Sequence, residues 1–322
     1  MVQKKRVHPK VKAGLHVRNK HRERYNFKEL IQSCPELAPF VSLNKFDDES
    51  IDFGNPKAVV MLNRAVLKHF YGIDHWYIPE GFLCPPVPGR ADYIHNVADL
   101  LASENKGVIP MGKSVKCLDV GVGANCIYPI IGHTEYGWSF VGADVEQVAI
   151  DSARETVENN EALKGNVDLR LQTAHYNTFK GIIADDEYYD VTICNPPFHA
   201  SLAEAEASSL RKMSSLNKTE VKKVVLNFGG NGKELYCNGG EERFITNMIK
   251  QSKEFSQSCL WFSTLVSKES NLRTFRKALK GLGVEEVKAM KMSQGTKVSR
   301  VLAWTFHNKE QQQAWAAKYW SE

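Results

Sequence analysis

From about residue 114 the chain alternates short apolar runs with longer segments of helical pattern, and this alternation constrains the fold more than any other feature. The runs are VKCLDV (115–120), WSFVGAD (138–144), VDLRL (167–171), YDVTIC (189–194), SCLWFST (258–264), VEEVKAM (284–290) and RVLAWTF (300–306). Most are separated by stretches such as EQVAIDSARETVENN and EERFITNMIKQS, whose apolar spacing suits helices. Strands alternating with helices build a mainly parallel sheet covered on both faces. The last two runs are joined only by KMSQGTKVS, too short for a crossover helix. They are expected to form an antiparallel pair at the sheet edge, with that segment as the loop.

Ahead of this region, FKELIQSCPEL and NPKAVVMLNRAVLKHFYG read as helical, the second with Val59, Leu62, Ala65, Val66 and Phe70 at helical spacing. Asn55 followed by Pro56 is a suitable helix start. From Trp76 to Arg90, four prolines and two glycines predict an extended loop, after which ADYIHNVADLLASE resumes a helical pattern. The expected organisation is therefore a basic arm and helical region over 1–112, then an α/β domain over 113–322.

Composition excludes several classes. At 322 residues and 43% hydrophobic the chain can bury a substantial core, and no apolar run approaches the roughly 18 residues of a membrane span. The first thirty residues are basic and polar, without the apolar core of a secretion signal, so a cytoplasmic location is expected. Seven scattered cysteines form no C-x-x-C pair, which indicates neither a zinc site nor a disulfide framework. Charge is uneven. Met1 to Lys28 holds ten Lys and Arg against one acid, a net +9 in a chain of +5, so the remainder sums to −4. In HVRNKHRERY, His16, His21 and Tyr25 accompany the cations, a composition that suits either a phosphate backbone or a solvated tail.

Two stretches carry chemistry. In CLDVGVGANCIYPIIG an apolar strand leads to Asp119, Gly121 and Gly123 ahead of a helix. The first strand-to-helix turn of a doubly wound sheet lies at its ligand-binding edge, where glycines let the backbone approach closely. The dinucleotide fingerprint wants a third glycine where this chain has Cys126, which weighs against NAD. Asp144, 21 residues after Gly123, ends its strand where an acid can accept from ribose hydroxyls. Seven strands closing on an antiparallel pair resemble the sheet of S-adenosylmethionine-dependent methyltransferases.

The second stretch is TICNPPFHAS, at the end of the fourth run. Proline fixes its own backbone and restricts the residue before it, so Asn195 and Pro196 are expected to stand extended as a rigid ledge. The exocyclic amine of a base is a poor nucleophile because its lone pair is delocalised into the ring. If the Asn195 side-chain oxygen and the Pro196 carbonyl each accept one N–H, the nitrogen is drawn towards tetrahedral geometry and its lone pair faces a methyl donor. Phe198 is then placed to stack on the ring. His199, next in line, is a minor candidate for accepting a proton.

NPPF, DVGVGANCIYP, the upstream GRADYIH, the later NFGGNGKELYCNGGEERF and the closing MSQGTKVSRVLAWTF together resemble the adenine-N6 RNA methyltransferases. That family includes the bacterial large-subunit enzymes that modify one adenine of 23S rRNA and the eukaryotic methyltransferase-like protein sixteen. The resemblance runs from about Val7 to Phe306 and is closest to the bacterial enzymes. It implies a Rossmann-like class I methyltransferase fold, S-adenosylmethionine as cofactor, no metal, and N6 of adenine 1618 as target. By resemblance, Arg90 in PGRADYIH meets the methionine carboxylate, Asp144 the ribose, Thr178 the region of the cofactor adenine, and Asn195, Pro196, Pro197 and Phe198 form the catalytic tetrapeptide. Gly229 to Glu241 resembles a glycine-hinged element near the substrate pocket, with Glu234 and Glu241 as polar anchors.

The resemblance also gives the arm an RNA-holding role. Lys10, Arg18, Lys20 and Arg22 are its candidates, with Arg211 and Lys212 (and beyond them Lys218, Lys222 and Lys223) on a segment between the ledge and the glycines. The expected partner is 23S rRNA or a large-subunit assembly intermediate, bound by a monomer. N-P-P-[FY] also serves guanine-N2 and glutamine-N5 methylation. The basic arm argues against a protein substrate, and the rest of the resemblance against guanine. The intact glycines, Asp144 and Asn195 argue against an inactive RNA-binding protein that merely keeps the fold.

Overall fold

The computed structural model describes residues 11–201, 203–204, 236–294 and 297–320. An N-terminal strap, residues 11–25, leads into α1 (Phe27–Ser33), where the Asn26 side chain caps the helix by accepting from the Lys28 N–H. The helical pattern expected through residue 37 breaks at Cys34. Pro35 has no N–H to continue the ladder, and a 3₁₀ turn over Pro35–Phe40 follows. A small antiparallel hairpin, β1 (Val41–Leu43) and β2 (Glu49–Ile51), was not legible in the sequence. Helix α2 (Pro56–Tyr71) starts where Asn55-Pro56 predicts: Asn55 accepts from the Lys57 N–H at 3.0 Å, and Gly72 ends the helix at φ 66°.

The loop predicted over 76–90 is shorter than expected, because α3 (Val87–Glu104) already includes Pro88, Gly89 and Arg90. First-turn N–H groups have no helical acceptor, so a proline there removes nothing. Arg90 therefore stands on a helix rather than on a loop.

The chain then lays down β3 (Lys116–Val120), α4 (Ile127–Tyr136), β4 (Ser139–Asp144), α5 (Gln147–Glu158), β5 (Val167–Leu171), β6 (Tyr189–Cys194), α6 (Gly240–Ser252), β7 (Cys259–Val266), α7 (Leu272–Gly281), β8 (Glu286–Gln294), β9 (Lys297–Thr305) and α8 (Lys309–Tyr319). The seven long strands pair in the order β5-β4-β3-β6-β7-β9-β8. Pairs among β3 to β7 are parallel, whereas β9 runs antiparallel to both β7 and β8. The segment expected as a loop, 291–299, is mostly strand: Met292 lies opposite Ser299 and Gln294 opposite Lys297. Lys291 is exposed, whereas the next residue, Met292, turns inward, 5% exposed.

Successive side chains alternate between two cores, as a period of two requires. Val191, Ile193, Trp261, Val301 and Ala303 face a cluster built with α1 to α5. Leu118, Val120, Phe262, Leu302 and Trp304 face the opposite way, against Ile245, Met248 and Ile249 of α6 and Phe275 and Leu279 of α7. All eight residues of β7 are buried. The first cluster takes in residues from both sides of position 112, so the N-terminal helices and the sheet share one apolar interior. No helix among the described residues is long and apolar enough to cross a membrane.

At the amino edge of the sheet, Asp190 ties strand to C-terminus. Its Oδ1 accepts from the Trp315 and Trp320 indole N–H groups at 2.7 and 2.8 Å, and its Oδ2 from the Lys116 N–H at 2.6 Å. Burial raises its pKa to about 6 against the pull of these donors. An amide can present only one oxygen, so Asp190→Asn turns an N–H towards a donor and is expected to cost roughly 1–3 kcal/mol of stability in denaturant unfolding. A folded pKa above the unfolded value means that proton-linked stability is full below the ordinary carboxylate range and is lost as pH rises through about 6. The gap between wild type and the variant therefore narrows from pH 4 to pH 7.

Candidate active site

Register builds the site. Val120, the last residue of β3, lies opposite Ala143 of β4 and Cys194 of β6. The next residues, Gly121, Asp144 and Asn195, therefore emerge side by side at the carboxyl edge. Gly121 and Gly123 have φ of 80° and 65°, where a side chain is strained, and the space in front of Gly121 is open. The N–H groups of Gly121 and Val122 donate to the Ala143 carbonyl at 2.8 and 3.0 Å, and that of Gly123 to Asp144 Oδ2 at 2.9 Å. Cys126, where a dinucleotide site would want glycine, also sits in the left-handed region at φ 51°, so the turn keeps a glycine-like path with a buried thiol.

These turns open onto a cavity of about 330 Å³. Of the residues expected at the cofactor, Arg90, Gly121, Gly123, Asp144, Thr178 and Asn195 line it. Thr178 is held by its N–H, which donates to Gln251 Oε1 at 2.7 Å. Burial raises the pKa of Asp144, while the N–H groups of Glu146, Gly123 and Val145 oppose that shift. Asp119 lies beneath the turn, fully buried, with neither carboxylate oxygen hydrogen-bonded among the described residues. Burial pushes its pKa well up, the charge on Asp144 adds to this, and Arg90 opposes it.

On the ledge, Pro196 is buried, Asn195 and Pro197 line the cavity, and Phe198 is half-buried against the apolar cluster that contains the N-terminal helices. Arg90, only 7% exposed, donates from Nη1 both to Tyr128 Oη at 2.9 Å and to Asn195 Oδ1 at 2.7 Å. His199 anchors the returning chain: its carbonyl accepts from the Cys237 N–H at 3.1 Å, and its Nδ1 stands 3.9 Å from Glu204. Glu241, buried at the start of α6, accepts from the Ser267 and Lys268 N–H groups and from Asn271 Nδ2, which fixes that helix end to the turn after β7.

Sequence reasoning missed several lining residues. Tyr236, Cys237 and Phe244 fall in the glycine-rich stretch already noted and were not singled out there. Gln172, His175 and Asn177 sit in the loop after β5 and carried no pattern. Lys10, Arg211, Lys212 and Glu234 lie outside the described residues, as do Lys218, Lys222 and Lys223.

The described part of the arm is folded onto the domain. Arg18 donates to Asp99 at 2.7 Å, to Tyr136 Oη and to the His95 carbonyl, both at 3.0 Å, and Lys20 pairs with Glu135 at 2.8 Å. Arg22 is half-buried. His21, which composition suggested for phosphate contact, is instead fully buried between Tyr71 and Tyr25, and burial with nearby lysines lowers its pKa to about 3. Arg18→Ala is expected to destabilise the fold by about 1–2 kcal/mol, read by thermal unfolding.

Strand order, crossover helices and the reversed β9 define a class I, Rossmann-like methyltransferase, an enzyme that takes its methyl group from S-adenosylmethionine. A family model described as RNA methyltransferase matches residues 9–308, and the chain belongs to that family. It is 57% identical over 316 residues to ribosomal RNA large subunit methyltransferase F of Cytophaga hutchinsonii, covering 98% of each chain. To the protein of the same name from Serratia proteamaculans it is 55% identical, over 99% of this chain and 95% of that one. Among solved structures, the hMettl16 catalytic domain in complex with the MAT2A 3'UTR hairpin 1 matches with a TM-score of 0.76 and 26% identity, covering 91% of this chain and 96% of that one. The N-terminal domain of human METTL16 in complex with SAH matches with a TM-score of 0.71 and 25% identity, covering 91% and 99%.

The residues fit the cofactor. Arg90 would complement its single carboxylate and Asp144 its ribose hydroxyls. Gly121→Ala would strain the turn by roughly 1–2 kcal/mol and place a methyl group in the open space before it. Calorimetry with S-adenosylhomocysteine is expected to read at least a tenfold weaker affinity, since 1.4 kcal/mol is about a factor of ten.

Proposed function

We propose that the protein methylates N6 of one adenine in 23S rRNA, adenine 1618, in the cytoplasm. The observation that carries the reading is that the Asn195 ledge and the glycine turn with Asp144 open onto one cavity. The names of the close relatives point to large-subunit rRNA, and an RNA-bound structural neighbour shares the fold.

In this reading Arg90, the glycine turn and Asp144 hold the methyl donor. Asn195 Oδ1 and the Pro196 carbonyl accept the two N–H groups of the adenine amine, and Phe198 stacks on the ring. Stacking contributes roughly 1–3 kcal/mol per base, and placement in a near-attack geometry can remove several kcal/mol from the barrier. The base must be unpaired or flipped out to reach the ledge. As the methyl group arrives, N6 becomes cationic and strongly acidic, so its surplus proton passes readily to water without a poised base. The cations ahead of the folded strap, including Lys10, hold the rRNA backbone. Arg211 and Lys212 share that work.

The test is to incubate the protein with labelled S-adenosylmethionine and either naked rRNA or large-subunit particles, and then to identify the labelled nucleoside. N6-methyladenosine is expected; N2-methylguanosine, or no label while the cofactor binds, overturns the assignment. Asn195→Ala should abolish transfer yet keep most of the RNA affinity, and a variant with normal turnover would sink the ledge. For the arm, removal of residues 1–28 would also remove the buried Leu15, Asn19 and His21. Removal of residues 1–10 is the cleaner test, with weaker RNA binding and a shallower salt dependence as the expected result.

A further inference from the structure

One guanidinium nitrogen links the two halves of the cavity. Arg90 Nη1 donates at once to Tyr128 Oη and to Asn195 Oδ1, while Arg90 also lines the cavity of the glycine turn. Guanidinium has five N–H donors and no acceptor, so only the oxygen end of the Asn195 amide can face it. An amide that could otherwise rotate end for end is thereby set with its acceptor at Arg90. That oxygen has two lone pairs, and the Arg90 bond leaves the second for another donor.

Arg90 is itself held from behind. Tyr128, which accepts from it, packs edge-on against Tyr93 at 5.3 Å between ring centroids. Tyr93 Oη accepts from the Cys194 N–H at 3.3 Å and bonds Ser263 Oγ at 2.9 Å, and Ser263 Oγ in turn donates to the Thr192 carbonyl at 2.6 Å. This buried chain is rooted in β6 and β7, the strands beneath the ledge. Both of these Arg90 bonds use Nη1, and Arg90 is the one Lys or Arg among the described lining residues. The cofactor's carboxylate therefore finds its charge complement on the same side chain that orients Asn195.

We propose that Arg90 is a positioning residue coupling the two substrates, so that a carboxylate held at its guanidinium fixes the Asn195 oxygen that receives the amine of the target base. This rests on the adenine-N6 reading and deepens it. Binding of a carboxylate-bearing nucleoside and binding of an amine-bearing base then strengthen each other, and the coupling is reciprocal.

The test measures RNA affinity of the full chain, using a hairpin with a single unpaired adenine and the same hairpin with purine, which lacks the amine, at that position. Each is titrated alone, with saturating S-adenosylhomocysteine, and with saturating 5′-methylthioadenosine, which keeps the nucleoside and thioether but has no carboxylate. S-adenosylhomocysteine is expected to tighten binding of the adenine hairpin by roughly fivefold or more, methylthioadenosine to leave it unchanged, and the purine hairpin to respond to neither. Tyr128→Phe removes the acceptor behind Arg90. It should shrink the tightening and lower kcat. Equal tightening by both nucleosides, tightening by neither, a response of the purine hairpin, or undiminished tightening in Tyr128→Phe would each overturn the coupling. Analysis of the labelled nucleoside from the same hairpin reports separately on adenine-N6 transfer, so failure of the coupling is distinguishable from failure of the function.

Discussion

The parallel register of β3 between β4 and β6 is the constraint on which the site depends. With Val120 opposite both Ala143 and Cys194, three strand ends release the glycine turn, Asp144 and Asn195 at one edge. A one-residue slip would exchange the two faces of a strand, burying what should face solvent or ligand. The register is secured because both faces are dry: Val191 and Ile193 look one way, Leu118 and Val120 the other, and each meets its own apolar cluster. Full burial of a large apolar side chain stabilises by roughly 1.5–3 kcal/mol, so a shifted pairing forfeits many such contributions at once.

One group of the polar residues inside this apolar frame lies directly under the site. Tyr93, Ser263, Thr192 and the backbone of Cys194 satisfy one another beneath the ledge. Satisfied networks of this kind rigidify a core, and this one supports the position at which Asn195 leaves its strand. Asp119 differs from that network, since both its carboxylate oxygens are buried and unbonded among the described residues. An acid kept in that condition below a glycine turn is consistent with a site completed by its ligand.

The sheet was legible because period-two apolar runs and helical spacing are local signals, and the antiparallel edge pair followed from connection length alone. The hairpin between β8 and β9 was read as a loop because its outward residues are polar, and single-sided burial at an edge weakens the pattern. Arg90 was assigned to a loop because Pro85, Pro86 and Pro88 suggest irregularity, whereas Pro88 lies in a first turn that tolerates proline. Gly121, Asp144 and Asn195 were found because strand ends can be read from sequence. Gln172, Asn177 and Tyr236 reach the cavity through tertiary contacts that no local pattern encodes. The same limit explains the arm: its charge was visible, but the acids that meet it, Asp99 and Glu135, lie about 80 and 115 residues further along the chain.

The central claim is that the strand ends around Val120 present a methyl donor and the Asn195 ledge to the same atom of an adenine. The most direct measurement is a structure of the protein with S-adenosylhomocysteine and an RNA hairpin carrying one unpaired adenine. The account expects the adenine N6 at hydrogen-bond distance, about 3 Å, from both Asn195 Oδ1 and the Pro196 carbonyl, with the cofactor sulfur on the lone-pair side of that nitrogen. An adenine bound with its amine turned away from Asn195, or a cofactor seated away from Gly121 and Asp144, would contradict it.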